Sequence, residues 1–421
     1  MGERSINVEK TGINLENVKL NNRSAILKLL NARGPMSRKD IAAALGLTPA
    51  TVTLISNELL AAGVLNELGE LQESPRAGRK KILLGIQYRC RNVLCISIEA
   101  TKTCLTVSDL QGNPLAVRRV RTETGIPPEQ FLKQLADESR ILMWENNIPK
   151  DSILGVGVSV PGPVDRKKGL SQSAYRVWEQ PVEVRRILSG LLPYPVAVSN
   201  NVKAFAEAGL TYGEGLQSEN VVFVKWGPGV GCSLVLRNQV YEGVHRKAAE
   251  IGHIVVQHGG RRCRCGRTGC LETVASTHAM AEAVRQVCSP DKTPNLWSFA
   301  KGDPATIKAG NIARWVLCGD EEMWRVLDPI IARLADVVGG VLTLFAPDKV
   351  VLYGEMFELP HFHEHFLRAC QEYDPAYNGS IIAMSALRDR LDFIGPLAVV
   401  VNELFFSGRI VEDALRSQQE S

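Results

Sequence analysis

The sequence predicts an α/β protein in which a small winged helix-turn-helix module precedes a larger two-lobed body. Three observations carry this expectation. From about Tyr88 onward, short β-rich runs alternate with helical stretches, the rhythm of strand-helix-strand units. The chain has 421 residues, too many for one ordinary core. Its excess positive charge is confined to one end: residues 1–87 hold 12 Lys and Arg against 8 Asp and Glu, and the rest hold 37 of each. A basic module, 1–87, ahead of a neutral body, 88–421, is the division these numbers suggest.

The module reads element by element. Ile26, Leu29 and Leu30 recur at helical spacing, and Gly34-Pro35 stops that helix. Ser37 caps a second helix, with Asp40 as its capping-box acid; Ile41, Ala44 and Leu45 follow, and Gly46 ends it. Thr48 is an N-cap and Pro49 the favoured first helical residue of a third helix, whose buried face is Val52, Ile55 and Leu59. Helix, short Gly turn, helix is the helix-turn-helix pattern. Two β-like pieces follow, Val64–Leu68 and 81–86, with the basic loop "GELQESPRAGRKK" between them. They form a wing suited to a phosphate backbone or minor groove.

The third helix carries no Lys or Arg. Base reading therefore falls to Thr51, Thr53 and Asn57, with Pro49 or Ala50 against a thymine methyl. Phosphate affinity falls to Arg38, Lys39 and the wing residues Arg76, Arg79 and Lys80. A helical protein-interaction module is the competing reading.

The composition narrows the setting. No apolar run approaches a membrane span, and MGERSINVEK lacks the apolar core of a signal peptide. A cytoplasmic location without membrane insertion is expected. There the ten cysteines should be reduced thiols or metal ligands.

In the body, "NVLCISIEA", "CLTVSDL", "ILGVGVSV", "YPVAVSN", "NVVFVKW", "CSLVLRN" and "KVVLYGE" are strand candidates. "PEQFLKQLADESRILMWEN", "VKAFAEAGLTYG", "STHAMAEAVRQV" and "MWRVLDPIIARLADVVGGVLTLF" are helical. This length suits two lobes around a cleft. His253, Cys263, Cys265 and Cys270 form H-x9-C-x-C-x4-C. Three thiolates and an imidazole suit a closed structural zinc site, with four nearby arginines to offset its charge; a reactive or disulfide-forming thiol cluster is the alternative. The remaining cysteines sit in apolar runs and read as core. His361, His363 and His365 lack metal-site spacing and read as a solvated face.

"VGVSVPGPVD" (156–165), "AEIGHIVV" (249–256), "CRCGRTGCLE" (263–272) and "PDKVVLYGE" (347–355) together resemble the signatures of the ROK family of repressors, open-reading-frame proteins and sugar kinases. The resemblance runs through nearly the whole body. It implies a sugar-kinase-like body of the actin and hexokinase type: lobe one about 88–200 plus the C-terminal helix, lobe two about 201–390. It implies zinc at His253, Cys263, Cys265 and Cys270, and a sugar held by Asn200, Asn201, Glu250, His253 and Glu272. With the winged module in front, the chain resembles ROK repressors of sugar-uptake genes, working on operator DNA as homodimers or homotetramers.

Phosphoryl transfer needs a base and a phosphate cradle, and here the sequence departs from the family's kinases. Asn201 stands where those kinases carry Asp, and a carboxamide cannot take a hydroxyl proton. "SIEATK" places Ser97, Glu99 and Ala100 where their first phosphate loop carries Asp, Gly and Gly. Pro228 in "GPGVGC" removes a backbone N–H from the second. A sugar-controlled regulator without catalysis is the expectation. An ATP-dependent sugar kinase with an attached DNA module is the alternative, and a zinc-stabilised interaction protein a third.

Overall fold

In the computed structural model, residues 15–71, 81–244 and 247–410 are described. Arg76, Arg79 and Lys80, expected at the wing tip, lie outside them. The chain divides into two compact units. One comprises residues 1–158, 183–198 and 396–421, the other 159–182 and 199–395.

The first unit opens with helices Leu15–Arg33, Arg38–Leu45 and Pro49–Ala61. Local chemistry sets their ends. Ser37 accepts from the Asp40 N–H, and its hydroxyl donates to the Asp40 carboxylate at 2.7 Å. Gly46 closes the second helix in the left-handed conformation at φ 64°. Thr48 accepts from the Thr51 N–H with Pro49 next to it, a cap worth about 1 kcal/mol. Ile26, Leu27, Leu30, Ile41, Ala42, Val52, Ile55 and Leu59 bury together. Ala42 takes the place expected of Ala44, which faces solvent. Strands Leu65–Leu71 and Lys81–Ile86 pair antiparallel, and Met36–Ser37 joins the latter.

The same unit holds a five-stranded sheet, ordered Val196–Asn200, Ile153–Val160, Asn92–Ile98, Lys102–Asp109, Pro114–Arg121. Helices Pro128–Glu145 and Val184–Leu191 belong to it. Pro114–Arg121 alternates exposed and buried positions, as a half-solvated edge strand does. The C-terminal segment packs here too. The Pro396 backbone lies where a side chain on Gly157 would stand, so only glycine fits. The winged module is tied to the rest of this unit where Tyr88 donates its hydroxyl to Asn31 at 2.9 Å and where Gly408 sits against Arg23.

The second unit is built on a five-stranded sheet ordered Gln239–Val240, Val230–Leu236, Val221–Trp226, Lys349–Tyr353, Ile382–Met384. Its core gathers Val222, Val224 and Trp226 from the sheet with Leu334, Val338 and Leu342 from helix Glu321–Phe345. Helix Pro360–Tyr373 covers the same core through Phe362, Phe366 and Cys370. The histidines on this helix lie on its outer side, His361 exposed and His363 and His365 half-buried, and two of them have partners there. His361 and His365 stack on one another and lie beside Trp324, and His365 Nδ1 meets Asp328 at 2.8 Å. Among the described residues no helix is long and apolar enough to cross a membrane.

Candidate functional site

The winged module presents one face of its third helix to solvent. Pro49, Ala50, Thr53, Leu54 and Asn57 are exposed on it, while Val52, Ile55, Ser56 and Leu59 point inward. The two threonines spend their hydroxyls locally. Thr51 is bonded to Thr48 at 2.8 Å, and Thr53 donates to the Pro49 carbonyl at 2.8 Å. What remains outward is largely methyl groups and the Asn57 carboxamide. Arg38 donates to Asn57 Oδ1 at 3.3 Å and to Glu67 at 3.1 Å, which leaves the Asn57 amide N–H groups as its outward-facing donors. Lys39 is exposed beside them. Leu54, with more than half its surface free at 59%, is the residue that sequence reasoning missed, because an apolar side chain in a helix reads as core.

In the second unit, the thiol knot folds as a tight knuckle. The Cys263 N–H donates to the Arg267 carbonyl, Gly266 to Cys263 and Gly269 to Arg261. Gly269 adopts φ 78° with the Gln257 carbonyl occupying the space a Cβ would need, so the turn requires glycine. His253 arrives on the short 3-10 turn Ile251–His253. Cys263 Sγ lies 3.6 Å from His253 Nδ1, and Cys265 Sγ lies 3.6 Å from Cys270 Sγ. The four donor atoms all fall within 4.8 Å of one another, close enough to share one metal ion. Arg267 braces the arrangement by donating to the His253 carbonyl at 2.9 Å. The other seven cysteines are buried or half-buried, as expected of core.

The opposite side of the His253 ring faces a carboxylate: Nε2 stands 4.0 Å from Glu250 Oε2. Burial pushes the Glu250 carboxyl up and Glu272 adds to it, against the pull of His253 and Lys203. Tyr175 closes on the ring edge-on, at a centroid distance of 5.8 Å. Its hydroxyl is pushed up by burial and by the nearby Glu250 and Glu272 carboxylates. Lys203 is buried, which lowers its ammonium against the opposing effect of Glu242 and Glu250. Glu250, His253 and Glu272 are thus brought together, as the sequence suggested, with Tyr175 and Lys203 as unforeseen neighbours. Neither has a local signal; both reach the group through the tertiary fold.

Asn200 and Asn201 fall at the junction of strand Val196–Asn200 and helix Asn201–Tyr212. Asn200 caps the helix by accepting from Val202 and Lys203, and its amide donates to the Gly162 carbonyl at 2.9 Å. Its polar atoms therefore hold the Pro-Gly-Pro turn against the helix start. Asn201 sits at the first helical position, half-buried.

The ROK family pattern matches residues 93–400. The chain belongs to the ROK family. Residues 20–66 match the winged helix-turn-helix DNA-binding pattern. The xylose repressor of Caldicellulosiruptor bescii is 23% identical to this ROK chain over 398 residues, 91% of the chain and 96% of the relative. The DNA-binding transcriptional dual regulator NagC of Escherichia coli is 25% identical over 350 residues, 82% of this chain and 83% of its own. Among solved structures, a ROK family transcriptional regulator homologous to E. coli MLC superposes with TM-score 0.78 at 23% identity, over 95% of this chain and 100% of that one. A ROK glucokinase from Streptomyces griseus, solved with glucose and AMPPNP, superposes with TM-score 0.61 at 21% identity, over 72% and 97%. The architecture is a winged helix-turn-helix followed by a sugar-kinase-like body.

The glycine loop of this ROK chain is "GPGVGC", residues 227–232. It joins strands Val221–Trp226 and Val230–Leu236, with the Gly227 N–H turned inward onto the Gly229 carbonyl at 3.1 Å. Carboxylates flank it. Glu272 Oε2 lies 2.9 Å from where a Gly229 Cβ would stand, and Glu355 packs on Gly227 at 3.4 Å by the same measure. At the other expected phosphate loop, the Glu99 carbonyl accepts from the Thr122 hydroxyl at 2.7 Å in a tight turn between two strands.

Proposed function

We propose that this ROK chain is a transcriptional repressor of carbohydrate uptake or metabolism genes, controlled by a sugar or sugar derivative and devoid of phosphoryl transfer. The observation that carries the reading is the two-sided environment of His253, with Nδ1 toward the thiols and Nε2 toward Glu250. One side suits a metal shell and the other a sugar hydroxyl.

Zinc is the ion the donor set fits. A tetrahedral shell with metal–sulfur bonds of about 2.3 Å has sulfur–sulfur edges of about 3.8 Å, and the Cys265–Cys270 separation is 3.6 Å. Three thiolates and an imidazole leave no open position, which makes the role structural. Bound there, zinc would cross-link the knuckle to the Ile251–His253 turn. The chain's own residues do the recognition. Glu250 and Glu272 accept from sugar hydroxyls, His253 donates through Nε2–H when Nδ1 ligates the metal, and the Asn201 carboxamide offers either. Asn200 holds the turn and helix start that present Asn201.

Catalysis is disfavoured on three grounds. Asn201 offers no base, the Gly227 N–H is turned inward, and Glu272 and Glu355 place negative charge at the glycine loop. The relatives named as a xylose repressor and as NagC support the same reading. Repression itself is assigned to the winged module, paired across a homodimer or homotetramer so that two third helices meet a palindromic operator. A ligand that binds one conformation better than the other shifts DNA affinity by that difference.

Gel-shift assays with fragments from the gene's own upstream region test the proposal. A specific complex at moderate salt that one sugar weakens or strengthens is the expected result. ATP-dependent phosphorylation of any hexose, abolished by Glu250→Ala, would instead establish the kinase reading.

A further inference from the structure

Beside the metal knuckle lies a pocket of about 200 Å³ whose wall includes Arg176, Arg261, Arg262 and Arg264. The four guanidinium groups come from two separate parts of the second unit, the segment 159–182 and the knuckle itself. Glu272 forms part of the same wall, so the pocket adjoins the Glu250–His253 group. Arg261 approaches Glu282 at 3.9 Å, and Glu282 is also held by Arg285 at 3.4 Å. Among the described residues no ion pair is formed by Arg176, Arg262 or Arg264. Arg261, Arg262 and Arg264 are exposed and Arg176 is half-buried, so water screens part of their mutual repulsion, and a bound anion would relieve the rest.

Two further features show that the crowding is built in. Arg176 has φ 64°, a left-handed conformation that a long side chain rarely adopts and that is tolerated where the fold demands it. Its neighbour Tyr175 is the residue packed edge-on against His253. One dipeptide therefore places an aromatic ring on the sugar group and a guanidinium in the adjoining pocket. His278, on the same wall, has its imidazole pushed toward the neutral form by burial and then by Arg176, Arg285 and Arg264, in line with a local positive field. The charge of a filled three-thiolate shell accounts for one cation, Glu272 for a second and Glu282, also on the wall, for a third, so the four arginines exceed the anions they neighbour by one.

We infer that this pocket holds the phosphate of the effector, and that the effector is a sugar phosphate monoester. Guanidinium forks match phosphate oxygens in pairs, and a dianion relieves the repulsion among Arg176, Arg262 and Arg264. The inference rests on the sugar reading of Glu250, His253 and Glu272, and the test separates the two.

Calorimetric titration of the zinc-loaded full-length protein is the experiment. The ligands are free hexoses and N-acetylhexosamines, their 1- and 6-phosphates, and inorganic phosphate alone. The proteins are wild type, the surface double variant Arg262→Ser/Arg264→Ser, and Arg176→Gly, which removes the charge while suiting the backbone. One phosphate ester is expected to bind at least about tenfold tighter than its parent sugar. Both variants should cut that preference to about threefold or less, at unchanged zinc content and unchanged free-sugar affinity. Equal affinity for sugar and ester, or a preference that survives in both variants, overturns the inference while leaving the sugar site intact. Arginine-dependent binding of inorganic phosphate with no response to any sugar or ester would uphold the anion site and overturn the sugar reading. No binding of phosphate or of any ester overturns the proposal outright, and arginine-dependent capture of an acidic peptide in that case would reassign the pocket to a protein partner.

Discussion

His253 Nδ1 lies 3.6 Å from Cys263 Sγ, while Nε2 of the same ring stands 4.0 Å from Glu250. One imidazole thus joins a thiol knuckle to a carboxylate group, and mutations on its two sides should separate. Cys265→Ser removes one of four donors and is expected to lose the metal and loosen the knuckle, lowering thermal stability by several degrees. Glu272→Ala should keep the metal and lose the sugar response. His253→Ala should lose both. Metal content by elemental analysis, paired with a thermal-shift sugar panel, reads the three outcomes.

The carboxylates on the glycine loop predict that restoring the base is insufficient. Asn201→Asp returns the carboxylate that a sugar kinase uses, yet Glu272 and Glu355 still flank Gly229 and Gly227. The variant is expected to show no ATP-dependent sugar phosphorylation above wild type. A coupled ADP-release assay checks this, and strong turnover would mean that the single carboxamide was the whole barrier.

On the DNA face, Asn57 and Lys39 should behave differently. Asn57→Ala removes the polar group that Arg38 orients and is expected to cost about 1–3 kcal/mol of operator affinity while relaxing base preference. Lys39→Ala should weaken all sequences alike and reduce the salt slope by about 1. Leu54→Ser should lose operator affinity without changing that slope. Affinities measured across a salt series distinguish the three.

Glu58 ties the third helix to the first, meeting Lys19 at 2.5 Å and Arg23 at 2.7 Å. Burial raises its carboxyl, but the two cations outweigh that and hold it below the usual glutamate value. A depressed carboxylate stabilises above its unfolded pKa, and the contribution disappears as pH falls through the folded one. Glu58→Ala is expected to cost about 2 kcal/mol near neutral pH, because it removes the carboxylate that the buried Arg23 meets at 2.7 Å. The difference from wild type should shrink on acidification below about pH 4. Denaturant melts at several pH values read it.

How much was legible follows from the range of the interactions. The caps at Ser37 and Thr48, the glycine stops and the H-x9-C-x-C-x4-C knot are local chemistry, and they read directly from residue order. Edge strand Pro114–Arg121 did not, since "PLAVRRVR" mixes charge into its alternation and resembles a polar connector. Strand Ile382–Met384 is too short to carry a period. The family resemblance offers Asn200 as a sugar ligand, and its bond to Gly162, 38 residues away, is visible only in the fold. Tyr175, Arg176 and Lys203 likewise join the site through tertiary packing. The histidines of "HFHEH" gained partners from helix Glu321–Phe345, which no local pattern announces.

Fluorescence anisotropy of a labelled upstream fragment bears most directly on the repressor reading. The protein is titrated at fixed moderate salt and then challenged with free and phosphorylated sugars, in wild type and in Glu272→Ala. A saturable, sequence-dependent complex whose affinity one ligand shifts at least about fivefold in wild type alone is the predicted result. A chain that binds competitor and upstream DNA equally, or whose complex ignores every ligand, would contradict it.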